Sequence, residues 1–274
     1  MPNRNHIDLF TGIGGFSLAA SWCGLKTVAM CEKDDRCRAF LEKAWPGVPI
    51  TSDIRDFKGA DHYGSFLLTA GVPCQPVSQA GKRRGAADER WLWPEALTVL
   101  ADARPTWALF ENPPGIGDVG LAGILDAMEA LHYEVRVFGI PACAVGSPQR
   151  RERYWIVGHA QPGESRQTDV EAAGAGQGLA DARTAKRCTG NVPSNHAHGA
   201  RAELTGSGVW DSFVWVPCAD GKLRRAPDDS FRLVDGLHRT LLGALGNSIV
   251  PQVAAEIIGA MMEAGGSPEE EETE

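Results

Sequence analysis

Cys74 is placed for nucleophilic chemistry. It lies in Gly71-Val72-Pro73-Cys74-Gln75-Pro76-Val77-Ser78, directly after the apolar run Phe66 to Ala70, which reads as a buried strand. Glycine and two prolines mark the segment as a turn. Strand-end turns are where an open α/β sheet presents reactive groups. For any single cysteine the ordinary alternative is strong, because most free thiols are small buried hydrophobes. The chain has seven, at positions 23, 31, 37, 74, 143, 188 and 218, and only Cys74 sits on such a turn. None pairs as C-x-x-C or joins histidines at zinc spacing, so no metal site is expected. An odd count without a signal peptide points to a reducing, cytoplasmic setting.

A thiol needs a partner ligand, and the N-terminus offers a cradle for one. Ile7 to Phe10 reads as a strand, Thr11-Gly12-Ile13-Gly14-Gly15 as a glycine-rich turn, and Phe16 to Trp22 as a helix. Glycine lets backbone approach a ligand closely. A second strand, Thr27 to Cys31, ends at Glu32, where an acid suits a ribose hydroxyl pair. The turn is not a complete G-x-G-x-x-G, which weakens a nicotinamide reading. S-adenosylmethionine carries ribose and adenine without phosphate and needs no phosphate-cradling helix start.

The segment Asp8-Leu9-Phe10-Thr11-Gly12-Ile13-Gly14-Gly15-Phe16 resembles the first motif of the C5-cytosine DNA methyltransferases. Gly71-Val72-Pro73-Cys74-Gln75 resembles their catalytic Pro-Cys-Gln loop. Phe110-Glu111-Asn112 is similar to the Glu-Asn motif and Gln149-Arg150-Arg151-Glu152-Arg153 to the Gln-x-Arg-x-Arg motif. Gly246-Asn247-Ser248-Ile249-Val250-Pro251-Gln252 resembles the closing Gly-Asn-Ser motif. Five motifs in the family's order run over nearly the whole chain. The segments at Trp93-Pro94-Glu95 and Asp220-Gly221-Lys222 look like phage and prophage members.

The resemblance implies a chemistry these residue types suit. C5 of cytosine is a poor nucleophile, and thiolate addition at C6 turns the ring into a reactive enamine. Cys74 supplies the thiolate, with its ionisation assisted by its setting or coupled to proton transfer. Glu111, at the end of a strand from Trp107, binds or protonates N3, with a pKa raised by burial or neighbouring negative charge. Arg151 or Arg153 contacts the target base or steadies the Glu111 region. The two point the same way if their segment is a strand. Asn112 fixes the loop beside Glu111. For the methyl donor, S-adenosylmethionine, the resemblance implies contacts from Phe10, Gly12, Gly14, Gly15, Glu32, Pro73, Asn247 and Ser248. Asp53 and Ile54 flank adenine, and Trp45 is a second possible neighbour. One departure is that Pro113-Pro114-Gly115 follows Glu-Asn where the family usually has valine. Asn112-Pro113-Pro114 also resembles the amino-methylating DNA enzymes, but their next residue is aromatic and here it is Gly115.

A target inside a duplex must be flipped out, at a cost of about a few kcal/mol. Gln79 to Gly85 is basic and glycine-rich and looks like the family's mobile catalytic loop. Gln75, Ser78, Lys82, Arg83 and Arg84 are candidate DNA contacts. The net charge of −8 has the wrong sign for phosphate binding. Five of those charges sit in the tail Glu269 to Glu274, which reads as a solvated, disordered segment. Local clusters at Lys82-Arg83-Arg84, Arg150-Arg151-Arg153 and Lys222-Arg224-Arg225 matter more. Arg224 and Arg225 read guanine by bidentate bonds or contact phosphate; both readings stay open.

The elements that position these residues follow from periodicity. Apolar strands alternate with helical segments from residue 6 to 159, including a helix near 91–103, a strand at 107–111, a helix near 121–131 and strands at 134–139 and 153–158. Such alternation gives a Rossmann-like α/β fold with a mostly parallel sheet covered on both faces. No apolar stretch reaches the roughly 20 residues of a membrane helix. Residues 161–208 are polar, small and loop-like. Trp210 to Val216 then looks like one strand of a hairpin. The expected division is a catalytic and cofactor domain over 1–159, completed by 237–264. A target-recognition region spans 160–236, and an acidic tail covers 265–274. Residues 247–262 form an amphipathic helix. The expected partners are double-stranded DNA and a cognate restriction endonuclease, and the expected state is a monomer. The alternatives are an RNA cytosine methyltransferase and a catalytically silent DNA-binding relative.

Overall fold

The computed structural model describes residues 3–73, 91–147, 149–161, 213–217, 223–227 and 248–265. Cys74, Gln75, Ser78, Lys82, Arg83, Arg84 and Asn247 fall outside these residues, as do the acidic tail from 266 and most of 160–236. Arg224 and Arg225 lie on a described strand, but their side chains are outside the described set.

Seven strands form one sheet: β1 (Asn5–Leu9), β2 (Lys26–Cys31), β3 (Ile50–Thr51), β4 (Leu67–Ala70), β5 (Trp107–Asn112), β6 (Tyr133–Pro141) and β7 (Glu152–Ala160). Their order is β3-β2-β1-β4-β5-β7-β6. β1 to β5 pair in parallel, and β7 runs antiparallel between β5 and β6. The direction of winding reverses between β1 and β4. In an open α/β sheet the crevice outside such a reversal is where ligands bind. The glycine-rich turn leaves the end of β1, and Gly71-Val72-Pro73 leaves the end of β4.

Helices α1 (Gly15–Trp22), α2 (Asp35–Ala44), α3 (Trp93–Ala103), α4 (Leu121–Ala130) and α5 (Pro251–Gly265) surround the sheet. Alternate strand residues face opposite layers. Ile7, Leu9, Leu68 and Phe110 pack with Trp93, Leu100, Ile124 and Met128 of α3 and α4. Leu67, Leu109 and Trp155 pack with Phe16, Ala20, Val253 and Ile258 of α1 and α5. The C-terminal helix therefore completes the layer begun by the first helix. Its start falls at Pro251 rather than 247, because proline's fixed φ suits the first helical position. Proline stands in the first turn of α3 as well, which starts that helix at Trp93 rather than 91.

The second sheet is an antiparallel pair, β8 (Phe213–Pro217) and β9 (Leu223–Pro227). It matches the expected hairpin, with residues 218–222 between its strands. Among the described residues no helix is long and apolar enough to cross a membrane.

Candidate active site

The cradle at the end of β1 is built from left-handed backbone. Phe10, Gly12 and Gly14 have φ of 53°, 59° and 84°, a region that costs any residue with a Cβ. At Gly12 a Cβ would meet nothing within 4 Å, whereas at Gly14 it would strike the Trp45 ring. At Gly15 it would lie 2.8 Å from Ile249 Cγ1 and 3.0 Å from Ser248 Oγ. The turn is thus open toward the crevice at Gly12 and closed behind by Trp45, Ser248 and Ile249. Phe10 is half-buried beside it.

Two carboxylates border this cradle. Glu32 accepts from Gly12 N at 2.6 Å and from Asp34 N at 2.8 Å, so it ties the tip of the β2 turn to the glycine turn. Asp53 caps a 310 turn over Ile54–Asp56 by accepting from Arg55 N at 3.0 Å. Its other oxygen lies 3.6 Å from Arg55 Nη1 and 3.9 Å from Lys33 Nζ. Ile54 is buried beneath it. Arg55 continues to Glu95 in the first turn of α3, 3.3 Å away.

Glu111, next to last in β5, lies on the same face of the sheet as Leu109, toward α1 and α5. It is 7% exposed. Its register partner is Trp155, which places Arg153, two residues earlier on β7, diagonally across on the same face. Arg153 Nε lies 2.9 Å from Glu111 Oε1. The contact is an ion pair without hydrogen-bond alignment, and Oε1 is buried with no aligned donor. Desolvation pushes the Glu111 carboxyl above its ordinary value, and Arg153 and Arg151 pull it back. The neighbour Asn112 is fully buried and donates from Nδ2 to Glu111 O at 2.6 Å, while its Oδ1 has no partner. After it, Pro113 is extended and Pro114–Asp118 forms a 310 turn that buries Ile116. The proline pair therefore closes the loop against the α3–α4 layer.

Arg151 corrects one expectation. It lies before β7 with a φ of 23°, so the two-residue alternation of a strand does not govern it. Its guanidinium Nη2 instead donates to Ser248 O at 2.8 Å. Burial lowers its pKa, as does Arg153, while Glu111 raises it. Arg151 thus stands between the Glu111 end of β5 and the segment that seats against Gly15. Motif spacing gave no sign of this link, since the partners are 97 positions apart.

Cys23, Cys31 and Cys37 fit packing roles, whereas Cys143 is exposed. Burial pushes the Cys31 thiol up to about 12 and Cys37 to about 11, and it raises Cys23 as well. Thiols so raised are poor nucleophiles. Among the described residues no group of three or more histidine, cysteine or acidic side chains could hold a metal ion. Of the expected site residues, the structure gathers Phe10, Gly12, Gly14, Gly15, Glu32, Asp53 and Ile54 around the β1 crevice. It gathers Glu111, Asn112, Arg151, Arg153 and Ser248 beside it, and Pro73 lies at the end of β4.

Comparison with known proteins is consistent with this arrangement. Residues 4–196, more than half of the chain, match the family described as C-5 cytosine-specific DNA methylase. The type II methyltransferase M.DsaV of Dactylococcopsis salina is 39% identical over 157 residues, 56% of this chain and 44% of its own length. The type II methyltransferase M.HaeII of Haemophilus aegyptius is 36% identical over 163 residues, 58% of this chain and 51% of its own. The matched segment spans about half or less of these relatives. The Dnmt2 methyltransferase of S. pombe superposes with a TM-score of 0.62 at 15% identity, covering 97% of this chain and all of that one. At that identity the likeness shows the fold.

Proposed function

The chain belongs to the C-5 cytosine-specific DNA methylase family, and from that premise we propose that it transfers a methyl group from S-adenosylmethionine to C5 of a flipped cytosine in duplex DNA. The observation that carries this reading is Glu111. It is a buried carboxyl with a raised proton affinity, held beside Arg153 at the rim of the crevice, one strand away from the turn leading to Cys74.

The residues present fit the methyl donor. Gly12 leaves open space where a side chain would stand, and its amide is already held by Glu32. Glu32 and Asp53 offer carboxylate oxygens to ribose hydroxyls and an adenine amine, and Phe10 offers an apolar ring. Ser248 closes the methionine side behind Gly15. When bound, S-adenosylmethionine supplies an electrophilic methyl on a sulfonium.

The chain's own groups do the rest. Cys74 adds to C6 of the cytosine and forms a covalent bond. Glu111, whose proton affinity burial raises, donates to N3 as electrons enter the ring. Arg153 and Arg151 restrain that proton affinity so that the carboxyl can also give its proton up. In this reading Arg153 holds a base oxygen while staying paired with Glu111. After C5 is methylated, a base removes the C5 proton, and elimination releases Cys74. Asn112 locks the Glu111 backbone through its bond to the carbonyl. Gln75, Ser78, Lys82, Arg83, Arg84, Arg224 and Arg225 belong to this proposal as DNA contacts.

The test is incubation of the protein with S-adenosylmethionine and random-sequence duplex DNA, beside Cys74→Ala, followed by bisulfite sequencing. Methylated cytosines in the wild-type sample alone are expected, and their context gives the recognition sequence. Cofactor binding without DNA methylation overturns the DNA assignment and makes RNA the next substrate to try.

A further inference from the structure

A buried polar chain runs beneath the glycine-rich turn, and the proposed mechanism does not use it. His6, Asp8 and Thr69 are fully buried and Thr27 is nearly so. His6 Nδ1 lies 2.9 Å from Thr27 Oγ1 on β2, and His6 Nε2 lies 2.8 Å from Thr69 Oγ1 on β4. Thr69 Oγ1 lies 3.1 Å from Asp8 Oδ1. The other carboxyl oxygen, Oδ2, accepts from Ser17 Oγ at 2.6 Å and Ser17 N at 3.1 Å. Ser17 is in the first turn of α1. At the other end of the glycine turn, Thr11 Oγ1 donates to Asp8 O at 2.8 Å. One residue therefore holds both ends of the turn, Thr11 through its carbonyl and Ser17 through its carboxyl.

We propose that Asp8 is a positioning residue for the cofactor turn, and that its protonation reverses the hydrogen-bond chain through Thr69 to His6 and changes how firmly the turn is held. This inference rests on the cofactor reading above. With Asp8 ionised, Thr69 donates to Asp8, His6 Nε2–H donates to Thr69, and Thr27 donates to His6 Nδ1. When Asp8 takes up one proton from solvent, its Oδ1–H donates to Thr69. Thr69 then donates to His6 Nε2, and His6 Nδ1–H donates to Thr27. The histidine stays neutral in both arrangements and only its tautomer changes. The ionised carboxylate makes charge-assisted bonds to Ser17 at a helix N-terminus, which are the stronger kind.

The surroundings put this change near neutrality. Burial pushes the Asp8 carboxyl up to about 7 against the bonds from Ser17 and Thr69, with a smaller upward push from Glu32. Burial drives His6 down to about 3. The titratable groups facing Asp8 are His6 through Thr69 on the neighbouring strand, Cys31 on β2, and Glu32 just beyond it. Neither α1 nor β4 carries a charged residue. α5, stacked on α1, brings Glu256 toward Cys23 instead.

The test uses the full chain, labelled with 15N, and S-adenosylmethionine as ligand. Between pH 6 and pH 8 the His6 ring proton is expected to move from Nδ1 to Nε2. Ser17 amide exchange, corrected for pH, is expected to slow, and S-adenosylmethionine to bind about fivefold more tightly, the low end of coupling between sites. Asp8→Asn keeps the shape and presents Nδ2–H to Thr69, as the protonated carboxyl does. It is expected to hold His6 as the Nδ1–H tautomer and to bind the ligand equally at both pH values. A wild-type tautomer that does not change overturns the inference, as does a pH dependence of binding that Asp8→Asn retains. Failure of S-adenosylmethionine to bind at either pH overturns the cofactor reading instead, and the His6 tautomer and Ser17 exchange still decide the role of Asp8.

Discussion

Arg153 stands 2.9 Å from Glu111 across the β5–β7 pair, yet leaves the carboxyl oxygen it approaches without an aligned donor. The pair is close enough for Arg153 to oppose the upward push that burial gives the carboxyl's pKa. Removing the guanidinium leaves the desolvation of Glu111 unopposed except by Arg151.

Arg153→Ala is therefore expected to raise the Glu111 proton affinity further. The alkaline limb of the kcat/KM profile for DNA methylation should move to higher pH, while kcat/KM at its optimum falls by about 10²-fold or more. Glu111→Gln should lower kcat by roughly 10²–10⁴-fold and flatten that limb. An unmoved limb in Arg153→Ala would show that Glu111 is not the group titrating.

Gly15 and Gly12 should answer substitution differently. A Cβ at Gly15 meets Ile249 and Ser248, so Gly15→Ala is expected to cost about 1–3 kcal/mol through overpacking. In an Ile249→Ala background, which lacks the Cγ1 that the added methyl would strike, the cost of Gly15→Ala should be smaller. At Gly12 the space is open, and the cost in Gly12→Ala comes from its φ of 59°, about 1–2 kcal/mol. Its methyl would project into the crevice, so S-adenosylmethionine binding should suffer more than stability does. Urea unfolding and calorimetric titration separate the two effects.

The buried histidine has a signed pH signature. Folded His6 sits at about 3, below its unfolded value of 6.5. Its relative contribution is present above pH 6.5 and lost as pH falls toward 3. Folded Asp8 sits at about 7, above its unfolded 3.8, so its contribution is fully present below pH 3.8 and lost as pH rises through 7. The two slopes oppose between pH 3.8 and 6.5. The stability difference between wild type and His6→Gln should thus grow as pH rises from 4 to 6.5 and then level off. Urea unfolding at several pH values checks this, and a difference that shrinks over that interval contradicts the buried neutral histidine.

Trp93 should be a stability position close to the chemistry. Its ring centroid lies 5.2 Å from that of Phe110, the residue before Glu111, and it is 1% exposed. Trp93→Ala is expected to cost about 3–5 kcal/mol, read as a fall in thermal midpoint. Trp93→Phe should keep most of the stability.

Much of this arrangement was legible before any coordinates. The apolar run 66–70, the glycine turn after β1 and the acid after Trp107–Phe110 each carry their own local signal, either periodicity or turn chemistry, and each appears where expected. Arg151 was not legible in the same way. Its direction was read from strand alternation, but a left-handed residue before β7 breaks that alternation. The His6–Thr69–Asp8 chain was also missed, although three polar residues inside short apolar strands were visible. Alternation assigns a side chain to a face but does not name its partner on the next strand. Such pairings depend on strand order, and sequence spacing says nothing about the reversal between β1 and β4.

The seating of Gly15 against Ile249 also bears on synthesis. Cys23 Sγ donates to Ala255 O at 3.4 Å, a bond between residues 232 positions apart. Stretches of the chain made far apart in time close a single wall. During translation the glycine turn is exposed to the cell long before α5 emerges to back it, and long-range closure of this kind is slow. A nascent chain arrested before Ile249 would carry most of the motifs and still have an unfinished pocket. The wall behind the glycine turn thus comes into being late in the polypeptide's manufacture, and half-made chains lack it.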